Sequence, residues 1–195
     1  MKTVIQIGLV IVIAVLVYLV VESVMEPVRF NREVARREAQ IIQRLRDIRA
    51  VQVAHRSRYQ SFNSDLDSLV GFVRYDSLPI IMAIGSVPDS LTEAEAVRLG
   101  IVKRDTMWMP VRDSLQVRMT YPLDSLPYVP FSGGKRFAMD ADFIERGLVK
   151  LPVFEAFTIP EHYLADLDKW RIYYTRLAGL KAGSMVEASI DGNWE

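Results

Sequence analysis

The sequence predicts an α+β fold in which one long N-terminal helix, first transmembrane and then amphipathic, packs on a small antiparallel sheet. The first observation is an 18-residue run, 4–21, whose one strongly polar side chain is Gln6. The second is a helical periodicity from about Val28 to Tyr59 that neither glycine nor proline interrupts. The third is a set of short apolar segments after Tyr59, separated by Gly, Pro and Asp-Ser turns, as expected of short strands.

Residues 1–25 are predicted to form a transmembrane anchor, so the first expected partner is a lipid bilayer. Eighteen helical residues cover about 27 Å, close to the hydrocarbon thickness of a membrane. A cleaved signal peptide is the alternative, and it usually has a shorter apolar core of about 7–15 residues followed by a small-residue cleavage site. The stretch 20–26, VVESVME, offers no such site, which favours an uncleaved anchor.

Residues 26–60 are predicted to form an amphipathic stalk helix, with Pro27 placed where a bend or a new first turn is tolerated. An apolar stripe strengthens toward the second half of this segment. Its main members are Val34, Ile41, Leu45, Ile48 and Gln52. The first half, 31–40, is polar nearly all round, which predicts a solvated extension with only the later half packed on a domain.

The charges are distributed unevenly although the net charge is zero. Residues 22–60 carry nine Arg and five acids, whereas residues 61–195 carry 14 Lys and Arg against 19 Asp and Glu. An acidic head above a basic stalk argues against nucleic acid as a partner, because phosphate binding needs a basic face. The chain has no cysteine, which excludes disulfides, thiolate nucleophiles and thiolate-bound metals.

Residues 61–195 are predicted to form the globular α+β head. A short helix is expected at 65–73, and Thr92 with Glu95 forms the pattern of a capping box that opens a helix to Leu99. The predicted strands are 106–111, 115–121, 137–139 and 153–159, and a weak helical pattern occupies 161–180. In that last segment Trp170, Tyr173 and Tyr174 share one helix face, which is typical of core packing.

Three segments resemble type IV pilins and type II secretion pseudopilins. The run RLRDIRAVQVAHRSRYQSF at 44–62 is similar to the end of the first helix in these families. The run DLDSLV at 65–70 stands where they have a related segment, and DGNWE at 191–195 resembles the tail of major pseudopilins. The resemblance covers about residues 4–72 and the tail, and it implies a pilin-like fold with no enzymatic activity.

The resemblance also implies a place and a role. It implies an inner-membrane protein with a cytoplasmic N-terminus and a periplasmic head, acting as a structural or assembly subunit of a secretion or pilus-type envelope apparatus. The arginines that follow the anchor, Arg29, Arg32, Arg36 and Arg37, favour the opposite orientation by charge bias alone. Large domains are translocated largely regardless of flanking charge, and the resemblance decides the orientation that we predict.

The expected partners are other envelope-complex subunits or further copies of this chain, contacted through the N-terminal helix. We predict that Gln6 and Glu22 supply polar contacts between helices, and that Ile41, Leu45 and Ile48 contribute to the same association. The family's leader peptidase cuts after a glycine in a motif that continues F-T-L-x-E. Here Gly8 is followed by LVIVI, with Ile13 at the glutamate position. This departure favours the alternative of a membrane-tethered periplasmic binding or regulatory domain that does not polymerise.

The sequence predicts no catalytic, cofactor-binding or metal-binding residues. His55 lies among stalk arginines, and His162 follows Pro160 and Glu161 at a predicted helix start, so neither has a positioned catalytic partner. The D-x-D-x-x-E spacing of Asp140, Asp142 and Glu145 could supply calcium ligands, but a helix cap at Asp142 is the favoured interpretation. A hydrolase with a site spread through the sheet is the third alternative, for which the sequence gives no substrate.

Overall fold

A single α-helix runs through the anchor and the stalk in the computed structural model. The structure describes residues 2–84, 92, 95, 98–99, 103–115, 119–167 and 177–195. Helix α1, Lys2–Tyr59, has 58 residues, which corresponds to a length of about 87 Å. It continues through Pro27, so the predicted boundary between anchor and stalk at residues 25–26 is a change of surroundings and not a break in the helix.

The head confirms the predicted α+β class and contains two antiparallel sheets instead of one. Its helices and strands in chain order are α2 Leu66–Tyr75, β1 Ser77–Ile84, β2 Lys103–Pro110, α3 Val111–Ser114, a 3-10 turn Leu123–Ser125, β3 Ala138–Arg146, β4 Val149–Thr158, α4 Pro160–Tyr163 and β5 Leu180–Gly183. Strands β1 and β2 pair from Ser77 opposite Pro110 to Ile84 opposite Lys103. The second sheet has the order β3-β4-β5.

The long helix supplies one wall of the core. Ile41, Leu45, Ile48 and Val51 of α1 are fully buried and share one apolar cluster with residues of α2, β4 and β5. The head residues of that cluster include Leu69 and Phe72 of α2, Phe154 and Ala156 of β4, and Ala182 of β5. The head therefore has no closed core of its own without α1, because removing the helix would expose these side chains to water.

The head begins on the stalk earlier than the sequence pattern indicated. The prediction of a solvated segment over 31–40 is wrong, because Val34 and Arg37 within it are buried. Phe30, also buried, extends the apolar stripe by about one turn beyond Val34, toward the anchor. The sequence pattern does not predict the burial of Arg37, because a buried arginine depends on partners that lie far along the chain.

Several predictions for the head need correction. Strand β1 was not predicted. Residues 119–121 are not in a strand, and Val111 begins α3 instead of ending β2. The helix cap predicted at Asp142 is wrong, because β3 runs from Ala138 through Glu145 to Arg146. In that strand Glu145 points to the face opposite Asp142, so the D-x-D-x-x-E spacing does not gather three carboxylates at one point.

The predictions of a capping box at Thr92 and of a helical segment at 161–180 have different outcomes. Glu95 Oε2 accepts hydrogen bonds from Thr92 N at 3.0 Å and from Thr92 Oγ1 at 2.7 Å, which agrees with a glutamate reaching back to a cap residue. The cluster Trp170, Tyr173 and Tyr174 lies outside the described residues. The predicted helical segment 161–180 contains the short α4 at its start and the first residue of β5, Leu180, at its end.

Two valines on the same helix test whether α1 belongs to the core of the head. Val51 is 0% exposed and Val53 is 38% exposed. We expect Val51→Ala to lower the free energy of unfolding by about 2 kcal/mol, because two buried methyl groups leave a cavity. Val53→Ala should change it by less than about 0.5 kcal/mol. Thermal or denaturant unfolding of the detergent-solubilised chain measures both, and equal effects would contradict the packing described here.

Candidate functional site

The apolar surface of the anchor is uncovered. From Ile5 to Met25 the large hydrophobic side chains are exposed, with fractions between 70% at Ile5 and 37% at Met25. By length and composition alone, α1 is long and apolar enough to cross a membrane. A surface of this extent is costly in water, and a bilayer is the environment in which such a helix satisfies both its backbone and its side chains.

The two polar residues predicted to join helices stand at opposite ends of the anchor. Gln6 is exposed within the apolar run. Glu22, half-buried at its end, accepts a hydrogen bond from Arg29 Nη1 at 3.0 Å, two turns further along the same helix. Glu22 thus has an ion-pair partner in its own helix. The role of both residues in association stays a prediction.

The structure places Ile41, Leu45 and Ile48 between the stalk and the head, and their role in helix association stays a prediction. All three are 0% exposed and lie in the cluster that joins the stalk to the head. Their surfaces are already occupied by the same chain. A sister helix could reach them only if the head left the stalk, which would cost the burial of the whole cluster.

The opposite face of the stalk carries an exposed stripe that the sequence analysis did not predict, in which four of the eight residues are Ala or Ser. We call it the outer stripe. Its exposed members recur at helical spacing and are Val28, Arg32, Ala35, Ala39, Arg46, Ala50, Val53 and Ser57. The steps of three, four and seven residues were readable from the sequence. The apolar stripe of Ile and Leu on the other face is the stronger periodic signal in the same segment.

Arg37 fixes the part of the head nearest the anchor to the stalk. Its side chain is 7% exposed. Nη1 and Nη2 donate to the two carboxylate oxygens of Asp166 at 2.5 and 2.8 Å, and Nη1 also donates to the carbonyl oxygen of Tyr163 at 2.6 Å. Nε donates to Glu33 at 2.8 Å. A two-pronged contact of this kind matches the planar fork of a guanidinium, which an ammonium group does not offer.

The neighbours of Arg37 show the electrostatic consequences of this contact. Hydrogen bonds from Arg37 lower the pKa of Asp166, and hydrogen bonds from Arg36 and Arg37 lower the pKa of Glu33. Burial raises the pKa of Glu38, which accepts a hydrogen bond from the Tyr163 hydroxyl at 3.1 Å. The same junction thus holds two carboxylates that favour ionisation and one that resists it.

Further polar contacts continue the attachment along the helix. The Arg44 guanidinium lies 3.5 Å from the centroid of the Tyr121 ring and donates to the carbonyl oxygen of Ser125. The Tyr121 hydroxyl donates to Asp47 Oδ2 at 2.6 Å. Because these contacts belong to residues more than 70 positions apart, they hold the loop around the 3-10 turn against the stalk.

The last turns of α1 are tied in the same way. The Gln52 amide donates to the carbonyl oxygen of Asn63 at 2.6 Å and accepts from Asn63 N at 3.0 Å. Arg49 pairs with Glu195 at 2.9 Å, which ties the last residue to the stalk. Contacts distributed from Arg37 to Gln52 thus hold the head in a fixed position on the stalk, so that the two form one unit.

The two histidines contact neighbouring parts of the same chain. His55 Nδ1 lies 2.8 Å from the carbonyl oxygen of Ser61, and the His55 ring packs on Tyr59 and Phe72. His162 Nδ1 lies 3.3 Å from Thr158 Oγ1, and burial lowers its pKa. In the part of the chain that the structure describes, no three His, Asp or Glu side chains are grouped closely enough to hold a metal ion.

Comparison with known proteins returned no family model, no curated protein and no solved structure that matches the chain.

Two adjacent arginines test whether the contacts of Arg37 between stalk and head stabilise the fold. Arg36 and Arg37 both bond to Glu33, but their side chains are 61% and 7% exposed. We expect Arg37→Ala to cost about 1–3 kcal/mol of unfolding free energy, because it leaves the buried carbonyl of Tyr163 without its donor, whereas the carboxylate of Asp166, 60% exposed, regains water. Arg37→Lys should recover only part of this loss. Arg36→Ala should cost less than about 0.5 kcal/mol, and denaturant unfolding at neutral pH compares the three variants.

Glu38 gives a prediction about pH. Because its pKa is raised by burial, its contribution to stability is complete below the ordinary pKa and is lost as the pH rises through the folded-state pKa. Glu38→Gln keeps an acceptor for Tyr163 and cannot ionise. We therefore expect the variant to be at least as stable as the parent at pH 7, with the difference vanishing below about pH 4. A variant that is less stable at pH 7 would contradict this assignment, and unfolding curves across that range decide it.

Proposed function

We propose that this chain is a single-pass membrane protein that acts as a non-enzymatic, pilin-like or pseudopilin-like structural or assembly subunit of a bacterial envelope apparatus. The N-terminus would lie in the cytoplasm, the anchor in the inner membrane and the head in the periplasm. The observation that carries the proposal is that different surfaces of α1 have different surroundings. One face of α1 is merged with the head, while the anchor and the outer stripe remain uncovered.

The geometry supports lateral association of parallel helices. Small side chains allow two helix backbones to approach closely, and the outer stripe places Ala35, Ala39 and Ala50 away from the head. In the membrane, Gln6 offers an amide that gains from a partner in a neighbouring helix. Because the stalk and the head form one unit, association of the helices would bring the heads into a fixed mutual arrangement.

The alternative is a membrane-tethered periplasmic binding or regulatory domain that does not polymerise. It is supported by Ile13, which stands where pilins carry the glutamate that sets the register of subunits. Under this alternative the anchor holds the head near the membrane, and the outer stripe faces solvent.

Cysteine crosslinking in intact cells separates the two proposals, because the chain has no cysteine of its own. Ala39→Cys places a single thiol on the outer stripe. Gln40→Cys is the matched control, since it is also exposed but is turned about 100° around the helix. We expect a short bismaleimide to join two copies of the chain much more efficiently through Cys at 39 than through Cys at 40.

Two outcomes would contradict the structural-subunit proposal. No covalent dimer from either variant would favour the tethered domain, and equal yields would indicate random collision in the membrane. Retention of the chain in membranes washed with alkaline carbonate is the control that the anchor is inserted. Loss of the chain in that wash would remove the basis of both proposals.

A further inference from the structure

We infer that the hairpin formed by β1 and β2 is a docking edge for an extended polypeptide segment of another protein, which adds to β2 as a further strand. The inference goes beyond the proposed function and does not depend on whether the stalk helices associate. It starts from the composition of β1. Every residue from Leu78 to Ile84 is apolar, which is typical of a strand covered on both faces.

The hairpin does not receive that cover within the described part of the chain. β1 and β2 pair only with each other, and every residue from Asp105 to Pro110 of β2 is exposed. By the register of the pair, Met107 and Met109 lie on the same face as Met82, while Trp108 lies on the other. Met107 is 54% exposed and Trp108 is 57% exposed, so apolar groups are uncovered on both faces.

The two faces differ in what already touches them. The Arg58 guanidinium at the end of α1 lies 4.8 Å from the centroid of the Trp108 ring, so the tryptophan face is attached to the stalk. On the face of Met82, Met107 and Met109, Leu78 packs against the core of the head at the base of the hairpin. Beyond that base, Met82 and Met107 are 46% and 54% exposed. Methionine side chains are flexible and polarisable, and they adapt to apolar groups of different shape.

The backbone of β2 supplies the second element of recognition. In a two-stranded sheet every second residue of each strand directs its N–H and C=O away from the partner strand. Among the described residues, the backbone of Asp105 to Met109 forms hydrogen bonds only within the β1 ladder. Pro79 lies inside β1 and removes one donor there, whereas the proline of β2, Pro110, is the last residue of its strand. The uninterrupted edge is therefore that of β2, and an open edge of this kind is a template for a further strand.

Location and area identify the occupant as a polypeptide segment. The Tyr59 hydroxyl donates to Asp76 Oδ2 at 2.6 Å, which fixes the base of the hairpin at the far end of α1. Tyr59 lies about 57 Å along the helix from Val21. A hairpin of eight residues per strand is about 26 Å long, so it cannot reach back to the bilayer that holds the anchor.

The same dimensions argue against a stable dimer formed by the hairpin alone. Two strands about 5 Å apart present a face of about 260 Å², whereas stable complexes bury about 800 Å² on each partner. A single extended segment needs less area, because main-chain hydrogen bonds supply much of its affinity. The expected ligand is a strand of about six to eight residues with alternate apolar side chains directed at Met107 and Met109.

Peptide binding to the full-length chain in detergent tests the inference. The probe is a fluorescein-labelled octapeptide, Lys-(Thr-Val)₃-Lys, and the readout is fluorescence anisotropy. We expect saturable binding that weakens by about tenfold or more when alternate amides of the peptide are N-methylated, because the backbone donors are lost. We expect a similar loss from Met107→Lys, which places a charge on the apolar face.

The control variant is Leu148→Lys, which adds the same charge at the fully exposed turn between β3 and β4 and should leave binding unchanged. Equal thermal midpoints of the two variants exclude unfolding as a cause. Absence of saturable binding, or equal binding of the N-methylated peptide, would overturn the inference. Dimerisation of the parent chain that Met107→Lys abolishes, without peptide binding, would overturn it by assigning the hairpin to a second copy.

Discussion

The burial of one face of α1 inside the head is the constraint on which the rest of the structure depends. Ile41, Leu45, Ile48 and Val51 contribute a wall of the core that no strand of the head replaces. The same helix continues without a break into the apolar anchor. The forces that fold the head therefore also fix the position of the head relative to the anchor. Stability and placement are thus two consequences of one apolar stripe.

Polar contacts give that attachment a defined geometry. An apolar stripe alone would allow the head to slide along or rotate about the helix, because apolar contacts are not directional. The bidentate bonds from Arg37 to Asp166, the stacking of Arg44 on Tyr121 and the paired amide contacts of Gln52 each allow one orientation. Buried or half-buried groups of this kind are costly when unpaired, so they penalise any other register of the head on the stalk.

The surfaces left over suggest how the molecule would meet partners. Within the described residues, three surfaces are uncovered: the anchor, the outer stripe and the β1–β2 hairpin at the end of the stalk away from the anchor. They differ in chemistry. The anchor is apolar all round, the outer stripe combines small side chains with two arginines, and the hairpin offers backbone groups beside methionines. Lipid, a helix and an extended segment are the respective complements in our proposals, so the three contacts need not compete with one another.

The sequence by itself determined the long helix and the α+β class, because the apolar run at 4–21 and the helical periodicity after it are local signals. It also determined that the later half of the stalk, with Ile41, Leu45 and Ile48 on its apolar stripe, packs on the head. Only the tertiary structure decided that the head reaches as far along the stalk as Phe30, that Arg37 is buried, and that β1 is an apolar strand left half-covered. These outcomes depend on residues more than 100 positions apart in the case of Arg37, and a one-dimensional pattern does not encode which distant surface satisfies a given side chain.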